Sequence, residues 1–151
     1  MTGFFECAVK YEKTMENGLI KKVSEPYIVD ALSFTEAEKR FIEYIEPYMC
    51  GEFEVKAVKR ANYSEIVSTT DDDADKWYKT KVAFITLDEK TGLEKKSAQN
   101  MLVQASDLRD AVKRLDKYME GTLADYEIRS VSETAIMDVY FYKEKEDVKD
   151  E

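Results

Sequence analysis

The chain has 151 residues, 44% of them hydrophobic and 12% aromatic, enough to bury one core or two fused half-domains, which excludes disorder of the whole chain. Its net charge of -9 and pI near 4.8 argue against a surface devoted as a whole to nucleic acid or anionic lipid. The absence of histidine removes Ser-His-Asp and Cys-His catalysis and the usual zinc sites, and five singly scattered glycines make no phosphate-binding loop. About -5 of the -9 lies in residues 71–76 and 143–151, so the remaining body is only mildly acidic. Cys7 and Cys50 are too few for a disulfide framework, and a reduced, cytoplasmic protein is expected. Neither a membrane span of about 20 apolar residues nor the basic start and apolar stretch of a signal peptide is present.

In chain order, FFECAVKY (4–11) alternates Phe5, Cys7, Val9 and Tyr11 against Glu6, Ala8 and Lys10, the pattern of a half-buried strand. Asn17-Gly18 suits a type I′ hairpin, and EPYIVDA carries a second strand toward a helix. SFTE reads as a capping box, with Ser33 accepting from the third helical amide and Glu36 reaching back. The helix is predicted to run to about Tyr48, with Phe34, Ala37, Phe41, Tyr44, Ile45 and Tyr48 on its core face and Gly51 beyond its end. FEVKAVKR is a third strand, and YSEIV is a candidate fourth. Residues 68–76, STTDDDADK, read as a solvated, mobile connector without apolar anchors.

The same order then recurs. WYKTKVAF aligns with FFECAVKY, TGLEKK with NGLIKK, residues 101–119 with 27–45 without a gap, and 126–140 with 53–67. All four blocks share an offset of 73 or 74 residues, which chance similarity rarely sustains. In the second copy Gly92 sits in a longer hairpin loop, Asp107 and Asp110 replace Ser33 and Glu36, and the helix runs to about Glu120 before Gly121. Its core face is Leu108, Ala111, Val112, Leu115, Tyr118 and Met119, and YEIRSVSE and IMDVYFY follow as strands. The predicted fold is α+β: an internally duplicated β-β-α-β(-β) unit, with two helices on mostly antiparallel sheet and pseudo-twofold symmetry. Repeats at 1–67 and 77–142 flank the connector and are expected to share one core, because each alone would be marginal; 143–151 reads as a frayed charged tail.

Candidate binding residues fall in two places. Arg40 and Arg114, beside Lys39 and Lys113, recur at equivalent helix positions; they either bind an anion or pair with Glu36 and Asp110, which precede them by four residues. On the first strands, alternation turns Phe4, Ala8 and Lys10, and Trp77, Lys79 and Lys81, away from the core, with Lys56 and Arg129 available on the third strands. Rings and cations together are what single-stranded nucleic acid needs, since bases stack on the rings while cations follow the phosphates. Glu6, Glu54 and Glu127 interrupt this surface, and the alternative is that Phe4 and Trp77 are buried against the other repeat, the connector or a second subunit. Lys21, Lys22, Lys95 and Lys96 alternate between faces and read as strand-edge lysines that discourage aggregation. DDDAD lacks the spacing and glycine of a calcium loop, and Cys7 reads as a buried, inert thiol whose counterpart is Thr80.

EPYIVDALSFTEAE, NMLVQASDLRDAVKRL and DYEIRSVSETAIMDV resemble an uncharacterised domain-of-unknown-function family (family 4494) of short acidic proteins from gut Bacteroidales, their phages and mobile elements. The resemblance covers nearly the whole chain and brings no activity or functional residues with it; it implies a small intracellular binding protein linked to phages or mobile elements. The expectation is therefore a non-enzymatic protein that contacts single-stranded nucleic acid through an outer sheet face. The alternative is a protein-interaction module, an adaptor or inhibitor of a host or phage protein. No cofactor, metal or membrane partner is expected, and a homodimer would accommodate exposed aromatics.

Overall fold

The computed structural model describes residues 3–141, so the charged tail lies outside the described residues. The elements are β1 (Gly3–Thr14), β2 (Ile20–Ala31), α1 (Phe34–Ile45), a 3-10 turn (Glu46–Tyr48), β3 (Phe53–Ala61), β4 (Glu65–Val67), β5 (Lys76–Leu87), β6 (Glu94–Ala105), α2 (Leu108–Glu120), β7 (Tyr126–Glu133) and β8 (Val139–Tyr140). This is an α+β protein in which the order β-β-α-β occurs twice, with equal first strands and equal second strands.

Two compact units result, one from residues 3–61 with 136–141 and the other from 62–135. Each holds a four-stranded sheet of the same pattern: β3-β1-β2-β8 in the first unit and, read from the opposite edge, β7-β5-β6-β4 in the second. Long antiparallel hairpins form the centre, with Phe5 opposite Val29 and Tyr78 opposite Val103. The short outer strands are parallel: Ile28 pairs with Val139, and Leu102 with Ile66. Here the structure departs from the repeat boundaries drawn in sequence. YSEIV, which follows β3, belongs to the second sheet, and the segment after β7 belongs to the first. A parallel neighbour requires a crossover rather than a tight turn, so neither segment can fold back beside the strand it has just left in this orientation.

Each helix packs on its own sheet. Ala37, Phe41 and Ile45 meet Phe5, Cys7, Val9, Tyr27 and Val29 in the first unit; Ala111, Leu115 and Met119 meet Tyr78, Val82, Met101 and Val103 in the second. Each unit thus has its own cluster between helix and sheet, supported by fully buried side chains worth roughly 1.5–3 kcal/mol apiece. Phe34, Tyr48 and Leu108, expected on the core faces, are exposed because they lie at or beyond the helix ends, where the buried stripe has run out.

Local signals hold with adjustments. Ser33 accepts from the Glu36 amide at 3.2 Å and Asp107 from the Asp110 amide at 2.7 Å. The Asp110 carboxylate reaches back to the Ser106 amide and hydroxyl rather than to its cap residue. The first hairpin is not a two-residue type I′ turn: Thr14 pairs with Ile20, leaving a longer connection in which Gly18, at φ 84°, supplies the positive φ while Asn17 does not. The acidic connector is fastened, contrary to the sequence reading. Ala74 is 2% exposed, its carbonyl accepts from Gln104 Nε2 at 2.9 Å, the Gln104 oxygen accepts from the Thr69 amide, and Asp71 binds Arg114.

Candidate functional site

The alternation predicted for the first strands of each copy is present. Phe5, Cys7 and Val9, and Tyr78, Thr80 and Val82, face the helices and are buried; Glu6, Ala8 and Lys10, and Lys79 and Lys81, turn the other way. Cys7 is buried, and burial, with repulsion from Glu38 and Glu6, pushes its thiol up to about 12, which keeps it protonated and a poor nucleophile. Thr80, in the equivalent place, satisfies its buried hydroxyl by donating to the Met101 carbonyl at 3.0 Å.

The proposed aromatic platform does not assemble. Trp77 is 3% exposed, and its carbonyl accepts from both the amide and the hydroxyl of Thr134, so its ring is not offered to a base. Leu102 and Ala83, on the same outer face, are also buried, as is Ile28 at the position in the first sheet equivalent to Leu102. Phe4 is half-buried. Alternation assigns a face to each side chain but does not say what covers that face, and here the sequence reading needed the second fact.

The duplicated arginines are engaged by carboxylates. Arg40 lies 2.8 Å from Glu36, and Arg114 lies 2.8 Å from Asp110 and 2.9 Å from Asp71. Hydrogen bonds from Arg114 and Ser106 hold the Asp110 carboxyl below the usual carboxylate range. The acid-first spacing of four residues on a helix accounts for the pairs within both helices.

Basic residues do converge on the outer face of the second sheet. Lys79 and Lys81 are exposed on β5, which lies between β6 and β7, and neither makes an ion pair among the described residues. Lys81 lines an open groove of about 580 Å³ with Ala83, Lys96, Ala98, Arg129 and Ser130. A bulge contributes to it: Lys81 pairs with Ser130 and Val82 with Ile128, leaving Arg129 as the extra residue. An extra residue in one strand re-aims its side chain, which alternation alone would not reveal. Lys96, read in sequence as an edge lysine, joins the same groove. Glu127 accepts from two of these cations, from Arg129 at 2.8 Å and from Lys96 at 3.4 Å.

The first sheet has the bulge but not the groove. Lys56 is its extra residue and lines a separate cleft with Phe34, Thr35 and Glu38. Glu6 pairs with Lys59 at 3.1 Å, and Lys10 lines a cleft of about 770 Å³ with Lys22, Cys50, Glu12, Glu52 and Glu54 among its walls, a mixture of both signs. Among the described residues no group of three or more Cys, Asp and Glu side chains could hold a metal ion, and no helix is long and apolar enough to cross a membrane.

Fold and site together define an α+β protein of two β-β-α-β units with a cation-lined outer sheet face. The chain matches the family described as Domain of unknown function (DUF4494) over residues 3–142 and belongs to it. No curated protein and no solved structure matches it.

Proposed function

We propose that this is a non-enzymatic, cytoplasmic binding protein that holds single-stranded nucleic acid along the outer face of its second sheet. The observation that carries the reading is the pair of exposed lysines, Lys79 and Lys81, which make no ion pair among the described residues, with Lys81 sharing a groove with Lys96 and Arg129, in a protein that is otherwise acidic. Cations spaced along a sheet follow a phosphate backbone, and backbone contact without stacking is indifferent to sequence and strongly salt-dependent. With Trp77 buried, stacking supplies little, and the acidic body opposes the ligand at long range. Affinity then falls in the weak, non-specific range, about 10⁻⁴–10⁻⁶ M at physiological salt. An origin in phages or mobile elements of Bacteroidales belongs to the same proposal and rests on the family resemblance. Fluorescence anisotropy of a labelled oligothymidylate along a salt series tests the reading: binding that weakens steeply with salt is expected, and no detectable affinity at low salt overturns it.

A second reading, a protein-interaction module, draws on the hairpin ends. Leu19 and Ile20 on the first and Leu87 and Leu93 on the second are exposed apolar side chains, which suit a protein partner better than a phosphate backbone. A partner captured from lysate through these tips, insensitive to nuclease and lost on Leu19→Ser with Leu93→Ser, would favour it.

A further inference from the structure

We propose that Glu127 is a built-in competitor for the nucleic-acid phosphate, holding Lys96 and Arg129 in reserve; this rests on the binding reading above. Its carboxylate lies 2.8 Å from the Arg129 guanidinium and 3.4 Å from Lys96 Nζ, so one anion occupies two of the three cations that line the groove, while Lys81, and Lys79 two residues before it on β5, make no ion pair among the described residues. The three side chains are 40–49% exposed, and water screens their attraction, so the pairs are weak enough for an arriving phosphate to exchange with the carboxylate. The bulge at Arg129 sets the geometry. It inserts the arginine between Ile128 and Ser130 without a partner residue on β5, so its guanidinium can turn to the carboxylate two residues back on its own strand.

The consequence is a graded site. Lys79 and Lys81 alone make the first contacts, and full engagement requires the phosphate to displace Glu127. Each cation that neutralises a phosphate of a single strand contributes about 0.7 to the slope of log affinity against log salt. The wild-type slope is therefore expected near about -1.4, and Glu127→Gln, which releases two more cations, should steepen it toward about -2.8.

The experiment is the oligothymidylate salt series on wild type, Glu127→Gln and Glu54→Gln. Glu54 is the equivalent residue in the first unit, so its variant changes net charge equally while leaving the groove intact. Several-fold tighter binding and a steeper slope for Glu127→Gln, with Glu54→Gln close to wild type, is the expected result. If wild type binds and Lys79→Gln with Lys81→Gln abolishes binding, yet Glu127→Gln matches Glu54→Gln, the competitor role falls and the groove stands. If no variant binds at low salt, both fall.

Discussion

The outer faces of the two sheets differ where their helix-facing sides agree. Phe41 and Leu115 occupy the same place in each unit and both are fully buried, whereas Lys79 and Lys81 stand where the first unit has Glu6 and Ala8. Glu54 and Glu127 are equivalent too, but among the described residues only Glu127 makes ion pairs with two cations. Packing constrains the helix side of each unit to side chains that fit and, like Thr80, satisfy any buried polar atom, while a solvated face can change sign at little cost to stability. The difference between the copies therefore points to function more directly than their likeness does. Within residues 37–45 and 111–119, the shared apolar positions are accounted for by packing and the shared arginines by their pairs within each helix.

The largest effects should come from the shared feature. Phe41→Ala is expected to cost about 3–5 kcal/mol and Leu115→Ala about 2–5 kcal/mol in urea unfolding, because each empties a fully buried site. Comparable losses in both variants would confirm that the two cores are equivalent; a negligible loss in one would break that equivalence.

Next come the faces. Lys79→Glu with Lys81→Glu should lower oligonucleotide affinity at least tenfold, since it reverses both open cations, whereas Lys10→Glu with Lys22→Glu makes the same charge change on the first unit and should have a much smaller effect. Equal losses in the two double variants would show that net charge, not the groove, governs binding.

A smaller difference concerns acid. The Asp110 carboxyl titrates below its unfolded value of about 3.9, so its contribution is complete above that value and is lost as pH falls through the depressed folded one. Asp110→Asn should cost about 1 kcal/mol at neutral pH and flatten the fall in urea midpoint below about pH 4. An unchanged acid limb would exclude this pair as its source. Smallest is Thr80→Cys, which installs the first unit's residue and removes the hydrogen bond to Met101; about 0.5–1 kcal/mol is expected, read from the same unfolding curves.

Much of this architecture was legible from local signals. Strand alternation, helix caps and the four-residue spacing of acid and arginine depend on neighbours in sequence, and all are present. The strand exchange was not legible, because β4 and β8 are only three and two residues long and their partners are chosen by which edge stands open. The fastened connector was not legible for a related reason: a polar, acidic segment looks solvated until Gln104 and Arg114 are found waiting for it. Lys79, Lys81 and Arg129 were visible in sequence as outer-face candidates, but Lys96 needed the hairpin register before it joined them.

The most direct test of the central claim is to follow backbone amide chemical shifts of the isotopically labelled protein while an oligothymidylate is added at low salt. Shifts concentrated at Lys79, Lys81, Lys96 and Arg129, with Glu6, Ala8, Lys22 and Lys56 unmoved, are predicted. Shifts centred on the first sheet or the hairpin tips, or none at all, would contradict it.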